Sequence, residues 1–120
     1  MKSLIVRNSE LNESITDEHC LIAELINIPQ DSVLSIAKAR VKPGMTTAKH
    51  MLRGVSERYL IFSGLGRAYI GDMPPQDVSP GDLILIPPNT PQSIINIDAA
   101  DLVFYCICSP GFTSDCYIPL

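Results

Sequence analysis

The chain has 120 residues, 46% of them hydrophobic and 18% charged, with a formal net charge of −4. This composition excludes a disordered chain, and the length suits a single domain, residues 1–120, with a buried core. The charges are scattered and on balance acidic, which excludes a stripe able to neutralise a phosphate backbone, so nucleic acid is not an expected partner.

No helix-length amphipathic segment stands out, whereas short β-favouring runs recur between Gly- and Pro-rich breaks, the pattern of an all-β sandwich or barrel. In chain order the predicted strands are Ser3 to Val6, Cys20 to Ile26, Val33 to Val41, Thr46 to Met51, Glu57 to Ser63, Gly66 to Ile70, Gln76 to Val78, Leu83 to Ile86, Gln92 to Asn96 and Ala100 to Cys108. The apolar run at the start, Leu4 to Val6, is too short for a signal-peptide core. No later stretch is long enough to span a bilayer as a helix, so a cytoplasmic protein without a membrane partner is expected. Cys20 to Ile26 is the candidate edge strand for pairing across a two-fold axis, and a homodimer is expected.

Between Val33 and Val41, Ala37, Ala39 and Val41 share one face and Lys38 and Arg40 the other. A charged face lining a cavity would hold an anion; the more ordinary reading is a solvated face with the small apolar side packed inward. Ten prolines punctuate the connections. In Lys42-Pro43-Gly44-Met45 and Ser79-Pro80-Gly81-Asp82, proline presets φ and glycine supplies a positive φ, the pairing of a type II turn. Cys106 and Cys108, two apart in a predicted strand, face one side as either a metal or redox pair or small buried hydrophobes. With no export signal, all four cysteines are read as thiols.

Two spaced motifs carry the chemistry. The first, about residues 43–64, reads Pro43-Gly44, five residues, His50, then Leu52, Glu57 and Gly64; the second, about residues 80–96, reads Pro80-Gly81-Asp82, Ile86-Pro87-Pro88, Pro91-Gln92 and Asn96. Together they resemble the cupin superfamily, in particular a small single-domain conserved-barrel cupin with a degenerate metal site. The resemblance spans roughly Ser35 to Pro110 and implies a double-stranded β-helix, or jelly-roll barrel. His50 matches the family's first metal histidine, Glu57 its carboxylate and Gln92 its last histidine. Leu52 stands where a second histidine is usual, and Asn96 matches the motif asparagine.

A divalent metal needs several convergent donors; leucine offers none, and an amide oxygen is a weaker base than imidazole. One expectation is therefore a weakly held iron, manganese, nickel or zinc ion on His50, Glu57 and Gln92, serving an oxygenase, isomerase or lyase acting on a small polar metabolite. The other is a metal-free ligand-binding or regulatory module, with Leu52 in the core and Gln92 hydrogen-bonded to Glu57 or His50. Without metal, His50 is the candidate base and Glu57 the acid or orienter, and Leu52, Tyr59 and Asn96 are assigned to the cavity. His19 is read as a surface or subunit-contact residue, and Tyr69 and Tyr105 as packing.

Overall fold

A computed structural model describes residues 1–120. It contains eleven strands and three short 3-10 turns: β1 Ser14–Ile15, β2 Leu21–Ile26, β3 Ser35–Val41, β4 His50–Leu52, β5 Ser56–Ser63, β6 Gly66–Ile70, β7 Gln76–Val78, β8 Leu83–Ile86, β9 Gln92–Asn96, β10 Leu102–Ser109 and β11 Tyr117–Pro119. They form two antiparallel sheets, one ordered β1-β2-β3-β10-β5-β8 and the other β11-β4-β9-β6-β7. The all-β barrel expected from the motifs is the observed architecture. No helix is long and apolar enough to cross a membrane.

Period-two alternation decides which side chains enter the barrel. Along β5, Glu57, Tyr59 and Ile61 are buried, while Leu60 and Phe62 are exposed. Along β8, Ile84 and Ile86 point inward and Leu83 and Leu85 outward. The inward rows from both sheets meet as a core containing Val41, Ile61, Ile86, Ile94, Leu102 and Phe104, all nearly inaccessible. Each of the larger side chains contributes about 2 kcal/mol by burial. A smaller cluster of Leu52, Val55, Cys108 and Cys116, with Phe112 and Tyr117 against it, closes one end.

Both expected Pro-Gly turns form. Met45 N–H donates to Lys42 O and Asp82 N–H to Ser79 O, with Gly44 and Gly81 at φ 76° and 92°. These conformations strain any residue with a Cβ.

Several expectations are corrected. Ser3 to Val6 is not a strand, because it finds no neighbour to pair with; pairing at that edge is made instead by Ser14–Ile15. β1 therefore flanks β2, which is not the outermost strand, and the apolar edge of this sheet is β8 at the opposite end. The strand expected at Thr46 to Met51 starts four residues later and ends one later, at His50–Leu52, with Thr46 making only an isolated bridge to Ile95. Lys38 and Arg40 face outward, donating to Asn8 and to Glu13 and Asp101, so the charged face of β3 does not line the cavity. β11 had no β-rich run to announce it.

Candidate functional site

A cavity of about 180 Å³ opens between the sheets. Its wall is set by strand register. Opposite one another across the six-stranded sheet lie Ser35, Cys108 and Glu57 in one row, and Ala37, Cys106 and Tyr59 in the next. The small residues of β3 leave space that larger ones would fill, and Glu57 and Tyr59 project into it from β5. His50 and Leu52 enter from β4 of the facing sheet, where both are buried.

His50 is held at three points. Its Nδ1 lies 2.7 Å from Ala48 O. A carbonyl only accepts, so Nδ1 carries the proton and the lone pair of the neutral ring sits on Nε2. The ring stacks on Tyr117, with centroids 4.9 Å apart and planes inclined by 22°. Nε2 faces Glu18 Oε2 at 3.9 Å. Glu18 is delivered by the connection between β1 and β2, where its N–H donates to Thr16 Oγ1 and its carbonyl accepts from Ala48 N–H. Ala48 thus fastens both partners through its backbone.

Glu57 is 6% exposed. One carboxylate oxygen, Oε2, accepts the Cys108 thiol at 3.5 Å, whereas Oε1 is buried with no hydrogen-bond partner. Burial disfavours the charged form and pushes this carboxyl up to about 7; the Cys108 thiol offsets part of the rise, and the Glu18 charge adds to it. Burial likewise raises Glu18, and His50, when it carries a proton, pulls it back down. The thiols are suppressed as nucleophiles: Cys20 is pushed up to about 11 by burial and nearby carboxylates, and burial carries Cys106 well above the ordinary thiol range.

Of the residues singled out by sequence, His50, Leu52, Glu57 and Tyr59 line the one cavity. Gln92 does not. It lies opposite His50 in strand register, with its Oε1 accepting from the Tyr59 hydroxyl at 2.5 Å and its Nε2 buried without a partner. The bond to Tyr59 uses only the amide oxygen; the expected contact of Gln92 with Glu57 survives as a weaker interaction that lowers the Glu57 carboxyl pKa, without a fully formed hydrogen bond from Nε2. Asn96 also lies off the cavity: its amide nitrogen donates to Val41 O and Ala100 O, and its side-chain oxygen accepts Asp98 N–H. It ties the end of β3 to the connection between β9 and β10. His19 is exposed at φ 65°. Tyr69 is exposed, and Tyr105 packs edge-on against Phe62 outside the barrel.

Glu18, Glu24 and Tyr117 were missed. Glu24 could have been read from alternation, since Cys20, Ile22 and Glu24 line the cavity together. Glu18 and Tyr117 lie outside both motifs, and no local pattern marks them.

The donor set does not fit a firmly held metal ion. No three His, Cys, Asp or Glu side chains are grouped so as to ligate one. Leu52 fills the place of an imidazole, and the amide oxygen of Gln92 is already engaged by Tyr59.

The Cupin domain family model matches residues 37–108. Along the sequence, an uncharacterized protein of Methanocaldococcus jannaschii is 32% identical over 117 residues, covering 96% of this chain and 93% of its own. Among solved structures, a predicted oxalate decarboxylase from Thermotoga maritima superposes with a TM-score of 0.80 at 22% identity, over 89% of this chain and 99% of that one. The nucleoside dehydratase Pac13, of Streptomyces, gives 0.81 at 16% identity over 99% and 92%. KdgF from Halomonas sp. gives 0.80 at 15% over 93% and 98%.

Proposed function

The chain belongs to the cupin family, and from that premise we propose that it binds a small polar molecule in the barrel cavity and acts on it as an isomerase or lyase, with His50 as base and Glu57 as acid. The observation that carries this reading is the complementary state of two buried groups facing one cavity. His50 keeps Nε2 free for a proton because Nδ1 is committed to Ala48 O, and Glu57, lifted to about 7, retains a proton near neutrality. An imidazole nitrogen with its lone pair free and a carboxyl that still holds its proton are what proton removal from one carbon and proton delivery to a departing or shifting oxygen require. Such chemistry needs no redox co-reactant. Pac13, a fold neighbour, is a dehydratase, which is a reaction of this class.

The role of Tyr59 in this reading is to wall the cavity and hold Gln92, and that of Leu52 is to keep the site apolar. A metal bound weakly by His50 and Glu57 is the second reading, favoured only by the survival of those two donors from the family motif.

The test is proton exchange. Small hydroxycarbonyl compounds incubated with the protein in D2O are followed by NMR for wash-in of deuterium at carbon, alongside elemental analysis of protein purified without chelator. Exchange abolished by His50→Ala, in protein with far less than one metal per chain, is expected. Exchange indifferent to His50→Ala refutes the acid–base assignment, and stoichiometric metal lost in that variant supports the second reading.

The same reading includes a homodimer, supported by the apolar outer face where Leu60, Phe62, Leu83 and Leu85 are exposed beside the β8 edge. Light scattering giving a monomer mass at every concentration removes it.

A further inference from the structure

Charge is distributed across the cavity wall with a consistent sign. Three carboxylates line it, each from a different element and at a different depth: Glu24 of β2 is exposed, Glu18 is half-buried, and Glu57 is buried. No lysine or arginine is among the lining residues. The cations of the neighbouring strands are turned away by alternation. Lys38 and Arg40 bond on the outer face of β3, and Arg58 donates to Ser109 Oγ on the outer face of β5. The cavity also presents the aromatic rings of Tyr59, Phe104 and Phe112.

We propose that this cavity selects a small organic cation bearing a primary ammonium group and discriminates against carboxylates and phosphates. The inference rests on the reading of the cavity as a ligand site, and it adds the class of ligand. An ammonium carries three donors and no acceptor, so its complement is a set of acceptors. Glu57 Oε1 is such an acceptor, buried and unengaged, and Glu18, which lines the same cavity with Oε2 3.9 Å from His50 Nε2, supplies a second. Aromatic faces add cation–π attraction. An anion would instead need donors, and the wall offers weak thiols, a single imidazole and hydroxyls of which those of Thr16, Thr47 and Tyr59 already donate within the protein, with the charges of Glu18 and Glu24 to repel it. A bare divalent ion is a poorer match, because the carboxylates are spread along the cavity and do not group as ligands.

Three probes of similar size and different charge test the inference: ethanolamine, ethylene glycol and glycolate, with MnCl2 as a fourth arm. Each is titrated into the intact protein and followed by thermal melts and by NMR shifts of cavity residues. Ethanolamine is expected to bind at least tenfold more tightly than glycolate, and both Glu57→Gln and Glu18→Gln to weaken it by about tenfold. Two variants are used so that a folding defect in one does not decide the outcome. Glycolate or ethylene glycol binding as tightly as ethanolamine, or Mn2+ giving the larger response, overturns the inference while leaving the ligand site standing. Silence toward all four overturns it together with the reading beneath it.

Discussion

Replacing Glu57 by glutamine should flatten the dependence of stability on pH. Burial lifts this carboxyl from its ordinary 4.5 to about 7. Between those values the folded protein holds a proton that the unfolded chain has released. Stability from this group is therefore complete below 4.5 and is lost as pH rises through 7. At about 1.4 kcal/mol for each pH unit of separation, the loss totals roughly 3 kcal/mol, most of it between about pH 5 and about pH 8. Glutamine is nearly isosteric and does not titrate, so Glu57→Gln removes that slope. Glu18 is raised in the same direction and stays in both proteins, so the difference between them isolates Glu57. Urea unfolding across this pH range, followed by circular dichroism, reads the effect. The variant should gain on the wild type by roughly 2 to 3 kcal/mol on going from the acid to the alkaline end. Parallel pH profiles would show that Glu57 ionises as a solvated carboxyl does, and the acid role assigned to it would fall.

Leu52→His should restore an imidazole beside His50 on β4 and raise affinity for Zn2+ or Mn2+ by at least about tenfold, measured by calorimetry, while costing about 2 kcal/mol of stability through the lost apolar contact. Tyr59→Phe keeps the ring against Phe104 but leaves both polar atoms of the Gln92 amide buried and unpaired, so a loss of about 1 to 3 kcal/mol is expected in chemical denaturation. Asn96→Ala removes the ties to Val41, Ala100 and Asp98 far from the cavity; it should cost about 3 kcal/mol in the same measurement, yet leave ligand titrations unchanged in affinity.

Much of the fold is legible because its determinants are local. Four central strands, at Gly66 to Ile70, Gln76 to Val78, Leu83 to Ile86 and Gln92 to Asn96, have the bounds that alternation and turn residues give them. The Pro-Gly turns form because proline fixes φ and glycine accepts a positive φ whatever surrounds them. What failed was non-local. Ser3 to Val6 has strand composition but no partner strand, and Tyr117–Pro119 lacks a β-rich run yet pairs with His50–Leu52. Gln92 and Asn96 sit at motif spacing, but the spacing cannot say that the Gln92 oxygen is taken by the Tyr59 hydroxyl or that Asn96 serves the backbone at Val41, Asp98 and Ala100. Glu18 is placed by Ala48, thirty residues further along the chain, through a backbone bond that no residue identity encodes.

Leu52 is more than a missing ligand. It belongs to the cluster with Val55, Cys108 and Cys116, and Cys108 is the residue whose thiol reaches Glu57 Oε2. Its strand partner is Tyr117, whose ring stacks on His50. The substitution that takes an imidazole out of the donor set therefore also supplies the apolar wall under the remaining pair. Desolvation is the largest cause of the raised Glu57 pKa, and an apolar side chain lining the same cavity is expected to contribute to it. An imidazole at position 52 would hydrate the same region and draw Glu57 toward the ionised form, exchanging a proton-holding acid for a metal-holding base. Metal affinity and a neutral Glu57 should thus trade against each other: any gain of metal in Leu52→His should be accompanied by a lower Glu57 pKa, read by the carboxyl carbon shift in NMR. Metal gained with no change in that pKa would mean that Leu52 does not govern the acid.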